Sequence, residues 1–300
     1  MSKWDEDYIT LCKEILKNGT QVHNRTGVDS VKLPSYCLHF DLGKEFPILT
    51  TKQLFIRQAV LEMLWIYQVQ SNDVRWLRER DVNIWNEWEI DGDGFWTAWQ
   101  NIKDGSGELK KTQVKKNFGK EWAHTIGTAY GWIVKKFSLT QSLLEKLKNN
   151  PEDRRMIMSL WQNDYLDTAV LPSCVWSSEW DVTGGRLNLW VHQRSCDVPL
   201  GLPFNITQYA VLLCMLARAA GLAPGTMDWS IKDAHIYVNQ TEGIKEQIRR
   251  FDENGSYPAP ELWLNPEKTD FFSFDNSRDC ADVRLLNYRH MGKLSFPIAQ

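Results

Sequence analysis

A thiol, a strand-end arginine, a helix-entry asparagine and an arginine pair are the side chains of this chain best suited to chemistry. In Leu171-Pro172-Ser173-Cys174 the thiol follows a proline-stiffened turn at the start of a predicted strand, where a cysteine is either a small core residue or a nucleophile. In Gln193-Arg194-Ser195-Cys196-Asp197 the strand predicted to pair with it ends in a cation, a hydroxyl and a carboxylate. An arginine brought beside Cys174 favours the thiolate, and arginine with serine can hold a phosphate; the alternative is a strand-end ion pair. Leu200-Gly201-Leu202-Pro203-Phe204-Asn205-Ile206 is a turn that delivers Asn205 to a helix start. There the amide either caps the helix or offers a donor beside an acceptor, the complement of a uracil edge. In Asp153-Arg154-Arg155 the two cations are neighbours on extended chain and point to opposite faces. Both meet one phosphate only if a turn or a second subunit presents them.

The elements that must position these groups are legible in part. Tyr8, Ile9, Leu11, Cys12, Ile15 and Leu16 recur at helical spacing, so the chain predicts an amphipathic helix over Asp5 to Lys17, stopped by Asn18-Gly19. Tyr36, Leu38, Phe40 and Leu42 alternate with period two, as in a half-buried strand. Residues 53–68 are apolar almost all round and predict a buried helix, which nevertheless carries Glu62. From Trp88 to Tyr130 the pattern weakens into a surface insertion with Trp96 and Trp99 embedded, and Lys110, Lys111, Lys115 and Lys116 read as a solvated face. A helix is expected over Thr140 to Asn149 and a strand over Met156 to Trp161. Trp176 to Val182 and Arg186 to Gln193, joined by Thr183-Gly184-Gly185, predict a hairpin. A buried helix over Phe204 to Ala220, closed by Gly221, and an amphipathic one around Thr241 to Arg250 complete the expectation. Strands occurring mainly as hairpins, between helices of unequal burial, argue for an α+β fold. No Gly-x-Gly-x-x-Gly or Gly-x-x-x-x-Gly-Lys loop is present, which argues against nicotinamide and ATP-type phosphate cradles.

Composition narrows the classes further. The 300 residues are 43% hydrophobic and 24% charged, which excludes disorder, collagen and coiled coil, and no linker-like stretch divides them, so one domain is expected. With 35 basic against 38 acidic side chains the net charge is -3, so there is no overall positive field for nucleic acid or membrane, and any anion site must be local. The six cysteines show no Cys-x-x-Cys spacing and no Cys/His cluster, so neither disulfides nor a metal is expected. No apolar run is long enough to span a bilayer and Met1-Ser2-Lys3-Trp4-Asp5 lacks a signal-peptide core, so a cytoplasmic location is expected.

Nine motifs in order carry a resemblance: Arg25-Thr26-Gly27, Thr50-Thr51-Lys52, Glu62-Met63-Leu64-Trp65, Ile84-Trp85-Asn86-Glu87-Trp88, Asp153-Arg154-Arg155, Leu171 to Cys174, Gln193 to Asp197, Leu200 to Ile206, and Asp233-Ala234-His235-Ile236-Tyr237. Their order resembles that of the thymidylate synthases over nearly the whole of residues 1–300, with a variable insertion at about 89–128. The resemblance implies a single catalytic domain on a large, mainly antiparallel or mixed sheet flanked by helices, the sheet forming a homodimer interface. It implies reductive methylation of dUMP to dTMP with 5,10-methylenetetrahydrofolate as one-carbon and hydride donor, giving dihydrofolate. Cys174 would add to C6 of the uracil ring and make C5 the carbon nucleophile. Glu62 matches the acid/base carboxylate and Tyr130 the tyrosine tied to loss of the C5 proton; a carboxylate on a buried helix is costly unless hydrogen-bonded or protonated. Arg25, Arg194, Ser195 and, from a partner subunit, Arg154 and Arg155 would hold the phosphate. Asn205 would read the ring, His235 and Tyr237 would contact the deoxyribose, and Asp197 belongs to both substrate and catalytic sets. Lys52, Glu62, Ile84, Trp85, Trp88, Asp197, Leu200, Gly201, Phe204 and Ala299 resemble the folate site.

Three positions depart from the resemblance. Val175 follows the cysteine where most members have histidine, Asn239-Gln240 replaces a more usual Asn-His, and Gln300 ends a C-terminus that is commonly apolar. Two alternatives share the scaffold. A uracil-nucleotide hydroxymethylase would let water intercept the adduct, which an aromatic wall at Trp85 opposes. A non-catalytic nucleotide- or RNA-binding regulator would lack Cys174, Glu62 or the arginines, and it would need a basic stripe that the composition does not supply.

Overall fold

The computed structural model describes residues 1–24, 26–103 and 109–299. Its helices are α1 (Lys3–Asn18), α2 (Ile56–Tyr67), α3 (Val74–Arg78), α4 (Gly131–Lys136), α5 (Leu139–Asn149), α6 (Gly201–Ala219) and α7 (Thr241–Asn254). The strands of the main sheet are β1 (Thr20–Val22), β2 (Ser30–Asp41), β5 (Ile157–Ser159), β6 (Val175–Thr183), β7 (Arg186–Gln193), β8 (Cys196–Asp197) and β9 (Ala223–Tyr237). Two further pairs stand apart, β3 (Phe95–Lys103) with β4 (Leu109–Asn117), and β10 (Glu261–Leu264) with β11 (Val283–Leu286).

The main sheet runs β1-β2-β9-β7-β6-β5, with β8 beside β9. Neighbours are antiparallel except that β7 and β8 lie parallel to β9, so the sheet is mixed and the α+β expectation holds. The long β9 is its spine because Met227, Trp229 and Ile231 alternate inward against the helices. Helices α1 and α6 cover that face, and α2 packs on α6. Both α2 and α6 are buried nearly all round, as the apolar runs require. The other face is open. His39, Trp176, Glu179 and Trp190 stand exposed on it, the two indoles 37% and 51% accessible.

Element ends differ from the sequence expectation for local physical reasons. Helix α1 begins at Lys3 because the Ser2 side chain accepts from the Asp5 amide. Gly19 does stop it, but at φ -68°, an ordinary conformation. A Cβ there would meet the Ile15 carbonyl at 2.4 Å and Val31 at 2.7 Å, so glycine is required for close approach rather than for a left-handed turn. Gly221 closes α6 as expected, and it does so in the left-handed conformation, at φ +71°. The strand expected over Met156 to Trp161 shrinks to Ile157–Ser159, since β5 pairs β6 only over three residues. The helix expected over residues 53–68 begins at Ile56, and α7 continues to Asn254. The insertion is not shapeless: Phe95–Lys103 and Leu109–Asn117 form a β-ribbon whose tip lies outside the described residues. Ile90, Ala98, Ile126 and Ala129, within or beside the expected insertion, are core residues.

Candidate active site

The β6–β7 hairpin presents the thiol. Gly184 and Gly185, at φ +59° and +73°, form the tight turn that the double glycine predicted. From Thr183↔Arg186 to Ser177↔His192 the pairing is regular, and it would bring Ser195 opposite Cys174. A bulge between Val175 and Ser177 absorbs Trp176 and shifts the pairing to Val175↔Gln193, so Arg194 stands opposite Cys174 instead. The Arg194 amide donates to the Cys174 carbonyl at 2.9 Å. The Arg194 guanidinium donates to the backbone oxygens of Ser173 (3.0 Å) and Pro172 (2.6 Å) and puts Nη2 3.8 Å from the Cys174 Sγ. The Trp161 ring lies 5.6 Å from its Cζ. A fork pinned on two carbonyls is a rigid cation beside a thiol, and a fixed cation favours thiolate.

Tyr130 approaches from the other side, its hydroxyl oxygen accepting the Cys174 backbone N–H at 3.1 Å. It sits at φ +45°, a conformation a bulky residue adopts only under constraint. The next residue packs closely as well: a Cβ on Gly131 would meet the Ser71 carbonyl oxygen at 2.0 Å. Burial holds the Tyr130 phenol neutral, well above its usual range. Its ring packs 5.1 Å from Trp85, and Trp85 stacks edge-on with Trp88 at 5.5 Å.

Glu62 projects from α2 into this aromatic corner. It keeps some solvent contact but is ringed by protein atoms, and desolvation pushes its carboxyl up to about 7. One oxygen accepts from the Trp85 indole at 2.7 Å and the other from Gln208. Asn205 joins the same group from α6, donating to Gln208 Oε1 at 3.2 Å and accepting from Gln193 at 3.3 Å. Helix α6 begins at Gly201 rather than Phe204, so Asn205 lies inside the helix and does not cap it. The N-terminal N–H is met instead by Asp197, whose Oδ1 accepts from Leu200 at 3.0 Å.

A third group gathers around Asp197. Burial raises its carboxyl, and Gln240 donates to it at 3.1 Å. Gln240 also donates to the Pro297 carbonyl at 3.0 Å, so the C-terminal segment carrying Ala299 is tied down beside Asp197. Lys52 is 5% exposed, donates to the Pro199 carbonyl and lies 4.7 Å from the Phe296 ring. Desolvation lowers its ammonium to about 8. His235 pairs with β8 at Asp197, bonds Asp233 at 2.9 Å and stacks edge-on with Tyr237 at 4.9 Å. The His235 bond, with Lys32, holds the Asp233 carboxyl down at about 2.

Ile84 and Phe204 are half-buried against the core, Leu200 is half-buried, and Gly201 opens α6. Ser195 is half-buried at the end of β7, its carbonyl accepting from Gln193. Arg154 and Arg155 do not enter this group in the same way: they stand exposed before β5, Arg155 turned onto Asp153 at 2.9 Å. Arg25 and Gln300 lie outside the described residues. Reading the sequence did not single out Gln208 or the indole of Trp229, and it marked Gln240 only as a departure from the resemblance. Gln208 had a signal, a polar amide on a helix buried nearly all round, because buried amides demand partners.

A thiol beside a pinned guanidinium, linked through a buried phenol and an indole to a buried carboxyl of raised pKa, equips an α+β molecule for nucleophilic catalysis with a proton-transfer group at hand. The profile of the thymidylate synthase family matches residues 6–300. The chain is 44% identical over 299 residues to a thymidylate synthase of Clostridium beijerinckii and 36% identical over 318 residues to one of Bacillus mojavensis, each alignment covering both proteins fully. Its fold superposes on the thermostable thymidylate synthase A from Bacillus subtilis with a TM-score of 0.81, at 35% identity over 99% of each chain. The chain belongs to the thymidylate synthase family. Among the described residues no helix is long and apolar enough to cross a membrane.

Proposed function

We propose that this protein is a methyltransferase that converts dUMP to dTMP with 5,10-methylenetetrahydrofolate, through addition of Cys174 to C6 of the uracil ring. The observation that carries the reading is the Arg194 guanidinium, pinned on the Pro172 and Ser173 carbonyls and 3.8 Å from the Cys174 sulfur. Arg194 stabilises the attacking thiolate and, with Ser195, Arg25 and Arg154 and Arg155 of the partner subunit, holds the nucleotide phosphate. Asn205 reads the ring, and His235 with Tyr237 meets the deoxyribose. Glu62, near neutrality in its titration, moves protons through water to and from the ring. Tyr130, neutral and fixed against the Cys174 amide, orients the base that takes the C5 proton.

The residues present fit a folate. Trp85 and Trp88 form an indole wall, Phe204 packs on the core in α6, a raised carboxyl at Asp197 can hydrogen-bond a ring N–H, and Lys52 adds a cation. When bound, the folate supplies the one-carbon unit and then the hydride. Leu200, Gly201 and the C-terminal segment through Ala299 close that side and exclude water, which favours the methyl over a hydroxymethyl product. Val175 is a buried apolar residue beside the thiol, and Asn205 is held by the Gln193 and Gln208 amides.

The exposed indoles of Trp176 and Trp190 on the open sheet face support a homodimer formed through that face, with the arginines near β5 shared between subunits. A cytoplasmic protein without a resident metal is the matching reading. Incubation with dUMP and methylenetetrahydrofolate, following dihydrofolate by absorbance and the nucleotide by mass, tests it. A methyl product with stoichiometric dihydrofolate is expected; a hydroxymethyl product with tetrahydrofolate released overturns the reductive step.

A further inference from the structure

Five side chains from four elements form one directional hydrogen-bond chain. Trp229 on β9 donates its indole N–H to Gln193 Oε1 at 2.9 Å, and Gln193 Nε2 donates to Asn205 Oδ1 at 3.3 Å. Asn205 Nδ2 donates to Gln208 Oε1 at 3.2 Å, and Gln208 Nε2 donates to Glu62 on α2. The direction is set by chemistry at both ends. An indole N–H can only donate, so Gln193 must turn its oxygen to Trp229 and its NH2 group to Asn205. An ionised carboxylate can only accept, so Gln208 must turn its NH2 group to Glu62 and its oxygen to Asn205. Both ends impose the same sense on the Asn205 amide. What remains to it is one lone pair on Oδ1 and one N–H on Nδ2, the complement of a ring edge with N–H beside carbonyl. A ring with a bare nitrogen beside an amino group needs the opposite sense.

Gln208 and Asn205 are three residues apart on α6 and share a face. We propose that Gln208 is a positioning residue that ties the amide sense of Asn205 to the ionisation of Glu62, so that ring selection and the acid/base group work as one unit. This rests on the assignment of Asn205 and Glu62 made above. Among the described residues the other titratable groups facing Glu62 are the phenols of Tyr130 on the α4 side and Tyr209 on α6, with Cys174 and Arg194 beyond Tyr130. Burial holds both phenols neutral, so of these three neighbouring acids it is Glu62 that changes charge near pH 7. When Glu62 is protonated it offers an O–H, and that end of the chain no longer dictates the sense of Gln208.

The test is kcat and KM for dUMP and dCMP from pH 5.5 to 9 in the parent, Gln208→Leu and Gln208→Glu. Gln208→Leu removes a donor to Glu62, so the Glu62 limb of the pH profile should move up by about one unit, and the preference for dUMP should fall by about tenfold. Gln208→Glu keeps an acceptor for Asn205 Nδ2 but faces Glu62 with a second carboxyl. It should move the limb further while keeping the preference for dUMP. A folded Gln208→Leu with the parental limb and preference would show that Gln208 only packs α6 on α2, and would overturn the inference. Where Gln208→Leu does not fold, an unshifted limb in Gln208→Glu overturns it. A parent that does not turn over dUMP defeats the underlying assignment, whereas an active parent with unmoved Gln208 variants defeats this inference alone.

Discussion

The two ends of the site are held by different means. At the thiol end the positioning is done by backbone: the β6–β7 pairing, the Trp176 bulge, and the carbonyls of Pro172 and Ser173 that clamp Arg194. At the carboxyl end it is done by side chains, a run of amides between two indoles. Backbone clamps are insensitive to the state of any titratable group. Side-chain amides can flip, so their order depends on what stands at each end. The thiol end is therefore expected to behave as a fixed reagent, and the carboxyl end as an adjustable one.

The largest effect should come from Cys174→Ala. Turnover should fall on the order of 10^4-fold or more while calorimetry shows dUMP affinity within a few-fold of the parent. Turnover within a hundredfold of the parent would mean the thiol is not the nucleophile.

At the other end, Glu62→Gln should lower turnover about 10^2- to 10^4-fold, the range for a lost proton-transfer group. The same change has a stability signature of defined sign. The folded protein holds the Glu62 proton up to about 7, against 4.5 in the unfolded chain. Its favourable contribution is therefore complete below pH 4.5 and is lost as pH rises to about 7. Urea unfolding should show the parent losing up to about 3 kcal/mol relative to Glu62→Gln across that window. Equal pH dependence in the two proteins would place the carboxyl in a wetter site than the structure describes.

Arg194→Lys should reduce turnover about 10- to 100-fold, because a single ammonium cannot span both carbonyls and hold a charge beside the sulfur. Alkylation of Cys174 by iodoacetamide at pH 7 should slow in parallel; an unchanged rate would divorce the cation from the thiol. The smallest effect should come from Trp229→Phe, which removes the indole donor that orients Gln193. It should cost about 1 kcal/mol in stability and lower the dUMP over dCMP preference a few-fold, with little change in the pH profile. If it moved the pH profile as much as a Gln208 change, the two ends of the amide chain would not be separable.

Much of this arrangement is legible in the primary structure because it depends on local rules. A double glycine between two alternating runs makes a hairpin, and Leu171 to Cys174 and Gln193 to Asp197 mark where it ends. Apolar runs with one misplaced carboxylate mark a buried helix, and Glu62 was conspicuous for that reason. Gln208 signalled a need for partners but not their identity, since one is Glu62, 146 residues upstream, and the other Asn205, three residues back.

The sequence alone determined which residue types were at hand, the elements that carry them and the family to which their order belongs. Periodicity, turn chemistry and motif order are local properties, and they survive without knowledge of contacts. Only the tertiary structure decided that Arg194 rather than Ser195 stands opposite Cys174, through one extra residue in β6. Packing alone also aligned Trp229, Gln193, Asn205, Gln208 and Glu62 into a chain with one direction. Register shifts and buried hydrogen bonds are settled by what packs against them, and that partner lies far away along the chain.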